Sequence, residues 1–137
     1  MLTGKKIVLG VSGGIAAYKM ANVASMLSKL HADIHVVMTE NATHFITPET
    51  FEVLTGNHCY TDTFDRCMEL HVPHIALGTQ ADAILIAPAS ADVVGKIANG
   101  IADDMLTTCV LPATCPVMLA PSMNVHMYEN PLSLIHI

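Results

Sequence analysis

The apolar run DAILIAP, residues 82–88, constrains the fold of this chain more than any other segment. Between its flanking aspartate and proline every side chain is apolar, which predicts a strand with both faces buried, as in a parallel sheet covered by helices. Strand-like runs at 5–11, 33–39 and 116–123 alternate with segments of helical character. This alternation predicts βαβ units with right-handed crossovers, and therefore an α/β fold built on a parallel sheet.

Helical segments are expected between these strands. The first has a broad apolar face that includes Ile15 and Tyr18, and we expect Met123 and Met127, four residues apart, to serve first as core filling. The predicted helices cover 14–30, 41–56 in two pieces broken before Pro48 and ended by Gly56, 90–100 capped by Ser90, and 103–111 capped by Asp103 or Asp104; a brief strand is expected at 58–62 and a turn or helix from 124.

Length, composition and charge limit the class of protein. At 137 residues the chain is expected to form one domain, and 52% hydrophobic against 13% charged residues predicts that much surface is hidden in a buried sheet or in subunit contacts. A net charge of −6 without a basic cluster argues against a nucleic-acid surface. No apolar run approaches the ~20 residues of a membrane helix, and MLTGKK leaves no room for a signal peptide. We therefore expect a cytoplasmic protein without membrane or nucleic-acid partners.

The cysteines and histidines predict no metal site. The cysteines form no C-x-x-C pair, and in a chain without a signal peptide they are expected to be reduced, mostly buried thiols. His71 and His74 have a metal-like spacing, but Pro73 lies between them and no cysteine or carboxylate completes a site. The four cysteines are Cys59, Cys67, Cys109 and Cys115.

Each strong strand is followed by small residues and a hydroxyl or an amide. The segments are GVSGGIA, MTENAT, PASAD and PSMN. Because the carboxyl ends of parallel strands meet at one edge of the sheet, where ligands bind in such folds, we expect this edge to present neutral hydrogen-bonding groups and accessible backbone N–H groups.

The glycine-rich segment GVSGGIAAYK is the first candidate site. Gly13 and Gly14 permit close backbone approach, free N–H groups at a helix start attract an anion, and Ser12 could donate to a phosphate oxygen. The spacing is not the G-x-G-x-x-G of a dinucleotide site, and a tight turn that binds nothing explains the glycines equally well. Thr39, Thr43 and Ser90 can each be helix caps alone; their coincidence at neighbouring strand ends favours a phosphate site.

Two further residues are candidates for chemistry. His74, in VPHIAL, is the one plausible acid–base group near this edge, because imidazole exchanges a proton near neutral pH; a core histidine bonded to backbone is the alternative. Asn124, in PSMNVHM, presents an amide suited to a substrate carboxylate; a helix N-cap is its alternative role.

The five motifs GVSGGIAAYK, MTENATHFI, HIAL, APASADVVGKIANGIADD and APSMNVHM, in this order, resemble the homo-oligomeric flavin-containing cysteine decarboxylases over residues 4 to about 131. The resemblance implies a Rossmann-like (flavodoxin-like) three-layer αβα fold, FMN as cofactor, and trimers or dodecamers. It implies a catalytic role for His74 and substrate binding by Met123 and Asn124. The residues that it assigns to the flavin are Gly10, Ser12, Gly13, Gly14, Thr39, Ala89, Ser90 and Ala91.

The family chemistry explains these residue types. The resemblance is nearest to the branch that converts 4'-phosphopantothenoylcysteine to 4'-phosphopantetheine in coenzyme A biosynthesis. In that family FMN oxidises the thiol side of the substrate to a thioaldehyde, so that loss of CO2 leaves a delocalised enethiolate. His74 is then expected to handle a proton and Asn124 to hold the carboxylate. Fusion to a phosphopantothenoylcysteine synthetase domain in the complete gene is left open.

The sequence departs from the family pattern at two places. Asp92 and Val93 stand where the family often has Asn-Thr. Residues 1–131 are expected to form an incomplete FMN-binding domain, with 132–137 as a tail unlike the family, so that the last strand and a substrate clamp with a reductive cysteine are absent. No catalytic cysteine is therefore assigned.

Other functions fit parts of the pattern. A peptidyl-cysteine decarboxylase shares the histidine and the asparagine motif, and a non-catalytic FMN-binding regulatory subunit would need no clamp. A flavin prenyltransferase is disfavoured by the P-x-M-N pattern. A nicotinamide-dependent dehydrogenase would require the missing glycine spacing and an acidic residue after the second strand, for which Glu40 is the only candidate.

Overall fold

The computed structural model describes residues 1–65 and 72–137, which form a parallel sheet between two layers of helices. The five strands are β1 (Lys6–Val11), β2 (Asp33–Met38), β3 (Cys59–Tyr60), β4 (Ala83–Ala89) and β5 (Val117–Pro121). The α-helices are α1 (Met20–Lys29), α2 (Pro48–Thr55), α3 (Pro73–Gln80), α4 (Ala91–Ala98), α5 (Met105–Val110), α6 (Val125–Tyr128) and α7 (Pro131–His136), with 3-10 helices at Ile15–Lys19 and Asn41–His44. The predicted α/β class is confirmed.

The strand order is β3-β2-β1-β4-β5, and every pairing is parallel. The central strands β1 and β4 are buried along most of their length, which explains their nearly uninterrupted apolar sequences. The edge strand β5 differs, because four of its five residues are exposed. The chain places β2 and β3 on one side of β1 and then β4 and β5 on its other side. The loops that follow β1 and β4 therefore run in opposite directions and leave a crevice between them.

Two apolar clusters, one on each face of the sheet, establish the three-layer arrangement. Ala24 of α1 and Phe51 of α2 belong to one cluster, and Leu77 of α3, Val93 of α4 and Leu106 of α5 belong to the other. Each cluster combines helix residues with the side chains of one sheet face, as in doubly wound α/β proteins.

The helix ends follow the predicted signals. Ser90 caps α4 by accepting the N–H of Val93, and Asp104 caps α5 by accepting the N–H of Thr107 at 2.7 Å. Gly56 ends α2 in the left-handed conformation with φ of 74°. Of the two aspartates predicted as candidate caps for α5, Asp104 is the one that caps it, and Asp103 is not.

Three expectations about apolar residues and helices were wrong or incomplete. The face of the first helix is only partly covered, since Ile15 is 77% exposed. Met127 is 50% exposed, so it does not fill the core. Helix α3 was not expected. Gly78 permits its close packing on α5, because a Cβ there would lie 2.4 Å from the backbone oxygen of Cys109.

None of the helices in the described part of the chain is long and apolar enough to cross a bilayer.

Candidate functional site

Two clefts meet at the carboxyl edge of the sheet, where the glycine turn (residues 12–14) faces the start of α4. Each has a volume of about 450 Å³, and Gly13, Ser90, Ala91 and Met127 line both. Volumes of this size are typical of small-molecule sites. The first cleft, called the polar cleft, is also lined by Thr39, Glu40, Asn41, Asp92, Val93, Lys96, Asp103 and Asp104. The second, called the apolar cleft, is also lined by Gly14, Ile15, Ser122, Met123 and Asn124.

The two glycines of the turn have different surroundings. A Cβ at Gly13 would lie 2.5 Å from the Cβ of Asn41, so the turn packs directly on the loop after β2. A Cβ at Gly14 would meet no atom within 4 Å, and its φ of −175° is open to any residue. Within residues 1–65 and 72–137, no hydrogen-bond acceptor is found for the backbone N–H groups of residues 13–16. The fold therefore requires Gly13, whereas Gly14 leaves backbone donors accessible.

Ser12 is fully buried, and its hydroxyl is engaged with the end of β4. It donates its proton to the carbonyl oxygen of Pro88 and accepts the N–H of Ser90 at 2.9 Å. A hydroxyl has a single proton to donate. In this conformation Ser12 therefore has no proton for a phosphate oxygen, which is the role suggested by the sequence.

Ser90 and Thr39 retain a donor for a ligand. The hydroxyl oxygen of Ser90 accepts the N–H of Val93 at 3.3 Å, and that of Thr39 accepts the N–H of Ala42 at 3.2 Å. In the described ranges neither hydroxyl has an acceptor for its proton. The capping roles of both residues are thus present, and they leave one O–H group on each side of Gly13.

The charges of the polar cleft are nearly all negative. Its one described cation, Lys96, lies 3.2 Å from both Asp92 and Asp103, and these two carboxylates raise the pKa of the lysine although burial lowers it. Val93 is buried in the core. At the two positions where the family often has Asn-Thr, this chain therefore has Asp92, which is ion-paired with Lys96, and Val93, which packs in the core. An anion bound here would be held by neutral donors rather than by a free cation.

Met123 and Asn124 lie in the apolar cleft, at the turn from β5 to α6. The Asn124 side-chain oxygen accepts the N–H of His126 at 2.9 Å and caps α6. Its amide nitrogen has no acceptor among the described residues. Asn124 can therefore combine its capping role with donation to a carboxylate.

Four site residues proposed from the sequence line neither cleft: the buried Ser12 described above, and Gly10, Ala89 and His74. Gly10 is buried in β1, where a Cβ would lie 2.5 Å from a methyl group of Leu106, and Ala89 is buried in β4. His74 is the second residue of α3, on the layer that also contains α5. Its Nδ1 atom is buried without a hydrogen-bond partner in the described ranges. The structure thus brings together the glycine turn, Thr39, the start of α4 and Asn124, and it leaves His74 outside both clefts.

The remaining cysteines and histidines are consistent with structural roles. Burial raises the pKa of the Cys59 and Cys109 thiols to about 12, with neighbouring carboxylates adding to the shift, so both thiols stay protonated near neutral pH. Cys115 is half-buried. His71 and Cys67 lie outside the described residues, and among those that are described no group of three or more His, Cys, Asp or Glu side chains is arranged to hold a metal ion.

Sequence reasoning missed a second polar group, the His58 cluster, formed by Glu52, His58 and Asp65. The His58 ring lies between the two carboxylates, with Nδ1 2.8 Å from Glu52 and Nε2 2.5 Å from Asp65. Burial alone would lower the pKa of His58, but Asp65 and Glu52 outweigh it and raise the pKa. The residues are 6 and 7 positions from His58, so no local motif signals the cluster.

Comparisons with known proteins identify the family of the chain and support its fold. The family model described as Flavoprotein matches residues 1–137. The coenzyme A biosynthesis bifunctional protein CoaBC of Bacillus subtilis (strain 168) is 50% identical over 131 residues, covering 96% of this chain and 32% of that protein. The solved structure of the FMN-dependent cysteine decarboxylase SpaF has a TM-score of 0.91 and 36% identity, covering 99% of this chain and 78% of that one.

A second solved structure carries a bound ligand. It is a PPC decarboxylase mutant complexed with pantothenoylaminoethenethiol, with a TM-score of 0.82 and 32% identity, covering 96% of this chain and 74% of that one. The chain spans about a third of the length of its curated bifunctional relative and about three quarters of these two structures.

Proposed function

Because the chain belongs to the flavoprotein family, we propose that it binds FMN where the two clefts meet and that its complete protein decarboxylates 4'-phosphopantothenoylcysteine in coenzyme A biosynthesis. The observation that carries the proposal is the clustering of accessible donors: Gly13, Thr39 and Ser90 line the polar cleft, and the N–H groups of residues 13–16 at the adjoining helix start have no acceptor within residues 1–65 and 72–137. Anions bind at such helix starts.

The residues of the site fit FMN. The phosphate suits the polar cleft at Gly13, where neutral donors face it, and the adjoining apolar cleft with Ile15 and Met123 suits a flat ring. FMN would supply a two-electron acceptor, so that the negative charge left by loss of CO2 is delocalised. Similarity to an FMN-dependent cysteine decarboxylase and to a PPC decarboxylase supports this assignment.

The residues of this chain would bind and orient the substrate. In the proposal, Asn124 donates its free amide N–H to the substrate carboxylate while its oxygen continues to cap α6. His74 accepts or returns a proton through its imidazole. Because His74 lines neither cleft, its role requires that the substrate reaches the start of α3, in the same subunit or in a neighbouring copy of the homo-oligomer.

The partners of the complete protein follow from the same reasoning. We propose a cytoplasmic homo-oligomer, with the trimer or dodecamer that the family resemblance implies; the many large apolar residues exposed in the described chain support self-association. Since the relative from Bacillus subtilis is bifunctional and three times longer, we also propose that the complete gene encodes a fused phosphopantothenoylcysteine synthetase domain. Sequencing the gene beyond codon 137 tests the fusion, and sedimentation of the protein with FMN tests the oligomer.

The primary experiment is an FMN titration of the purified chain. We expect a flavin absorption band that stays with the protein through gel filtration, and release of CO2 from 4'-phosphopantothenoylcysteine by the complete protein. Consumption of a peptide with a C-terminal cysteine instead would assign the protein to the peptidyl branch. If the protein fraction from gel filtration carries no flavin absorption after incubation with saturating FMN, the proposed site is refuted.

Two substitutions at one position separate binding from capping. Asn124→Asp keeps an oxygen to cap α6 but removes the amide donor and adds a charge that repels a carboxylate, whereas Asn124→Ala loses both functions. We expect both variants to raise KM for the substrate, with a lower Tm only for Asn124→Ala. An unchanged KM for Asn124→Asp would exclude the carboxylate contact.

His74→Asn should abolish turnover while FMN binding is retained.

A further inference from the structure

The hydroxyl of Ser12 continues the pairing between β1 and β4 beyond the last ladder residues. The final pair in the register is Gly10 with Ile86, and two residues later Pro88 has no N–H to donate. Ser12 supplies the missing connections, since its N–H and its hydroxyl both donate to the Pro88 carbonyl, and its oxygen accepts the N–H of Ser90. One buried side chain thus holds the β4–α4 turn against the glycine turn.

These bonds determine which groups of the β4–α4 turn are accessible. With its N–H directed to Ser12, Ser90 has only its hydroxyl left for a ligand, and that hydroxyl oxygen is already fixed by the N–H of Val93. On the side of the glycine turn that faces β2, Gly13 packs against Asn41 in the loop after that strand. Three loop tips are therefore locked together, and Ser12 is the side chain that joins two of them.

We infer that Ser12 is a positioning residue: it sets the separation of the two helix starts that take up the FMN phosphate, without contacting the phosphate itself. This inference rests on the proposed function. It differs from the direct phosphate contact suggested by the sequence, because the only hydroxyl proton of Ser12 is donated to Pro88.

The test compares FMN with riboflavin, which has the same ring system but no phosphate. In Ser12→Ala the Ser90 N–H loses its partner and the Pro88 carbonyl keeps only the backbone N–H of residue 12, so the turn shifts. We expect FMN affinity to fall about tenfold or more and riboflavin affinity to change less than about twofold. General destabilisation would not alter the ratio of the two affinities. Ser12→Cys, of similar size but with a poorer acceptor, gives an intermediate ratio and replaces Ser12→Ala if that variant does not fold.

Thr55 provides a matched control at a remote place. Its hydroxyl also donates to a carbonyl, that of Phe51 at 2.8 Å, and accepts a backbone N–H, that of Asn57 at 3.2 Å. Thr55 lines neither cleft. Thr55→Ala should therefore lower Tm and leave the preference for FMN over riboflavin unchanged.

Amide hydrogen exchange in the ligand-free protein distinguishes positioning from direct contact. We expect the Ser90 amide to be protected in the wild type and to exchange rapidly in Ser12→Ala before any FMN is added. Equal protection in both proteins, or an unchanged FMN preference in Ser12→Ala, would overturn the inference while leaving the proposed function intact. A wild type without preference for FMN over riboflavin would instead refute the proposed phosphate site.

Discussion

The glycine turn and the His58 cluster are both rich in polar groups, but they use them in opposite ways. In the His58 cluster, the ring nitrogens and both carboxylates bond to one another, so few groups are left for a ligand. In the polar cleft beside the glycine turn, Lys96 is ion-paired with Asp92 and Asp103, and the backbone N–H groups of the turn remain accessible. The comparison teaches that accessible donors, rather than the number of polar residues, distinguish the proposed FMN site from a structural cluster. Substitutions in the two regions should therefore separate stability from ligand binding.

The largest effect is expected for Gly14→Val. No atom of the protein lies within 4 Å of a Cβ at this position and the backbone is extended, so the fold tolerates the side chain. The new side chain lies in the apolar cleft beside the N–H donors, and FMN affinity should fall about a hundredfold with Tm nearly unchanged. Flavin fluorescence titration and thermal unfolding measure the two quantities. Gly95→Ala, with equally open space and outside both clefts, is the control; equal FMN binding by Gly14→Val and the wild type would remove the turn from the site.

The neighbouring substitution Gly13→Ala should affect both properties. Its Cβ would lie 2.5 Å from the Cβ and 3.0 Å from the carbonyl carbon of Asn41. Overpacking of this kind costs about 1–3 kcal/mol, or roughly 3–10 °C in Tm for a domain of this size. FMN binding should weaken with it because the loop after β2 is displaced. Adding Asn41→Gly removes the nearest atom and should restore part of the lost Tm; no recovery would contradict the packing explanation.

Ser90→Ala is expected to have a moderate effect on each property. Loss of the N-cap bond to Val93 costs about 1 kcal/mol, and loss of the free hydroxyl donor should weaken FMN binding about tenfold. Ser90→Thr keeps both the cap and the donor and should remain close to the wild type. If alanine and threonine variants bind FMN equally well, the hydroxyl makes no contact with the ligand.

The smallest effect is expected at the His58 cluster, and it depends on pH. The pKa of His58 is raised above 6.5 in the folded chain. The ion pairs of protonated His58 therefore stabilise the folded chain fully below pH 6.5, and this contribution is lost as the pH rises through the raised pKa. His58→Gln should lower Tm by about 2–4 °C at pH 6 and by less at pH 9. His44→Gln, at an exposed position without a described ion pair, is the control. FMN affinity should not change in either variant, and a Tm difference that grows with pH would contradict the assignment.

The sequence predicted the sheet better than the helices around it. Apolar runs such as DAILIAP were sufficient for the strands, and caps such as Ser90 defined helix starts. Helix α3 was missed because its pattern is weak and its Gly78 reads as a helix breaker, although close packing on Cys109 requires glycine there. The exposure of Met127 could not be predicted, because it depends on how α6 lies relative to the core.

The candidate site was predicted as a set of loops but not as a set of contacts. The neutral residues after each strand predicted a site at one edge of the sheet, and Gly13, Thr39 and Ser90 do line one cleft at that edge. The two partners of the Ser12 hydroxyl, Pro88 and Ser90, are 76 and 78 positions away in the chain, so no local pattern reveals them. The catalytic role of His74 stays a prediction, since the residue lines neither cleft.

The long sequence separation between Ser12 and Ser90 has a consequence for biogenesis. During synthesis the glycine turn leaves the ribosome early, but its counterpart across the crevice follows only 78 residues later. Parallel pairing over such distances forms late, after the entropy of closing a large loop has been overcome. Nascent chains shorter than about 90 residues therefore lack the closed crevice, and flavin capture is expected to follow the completion of β4 rather than to guide its docking.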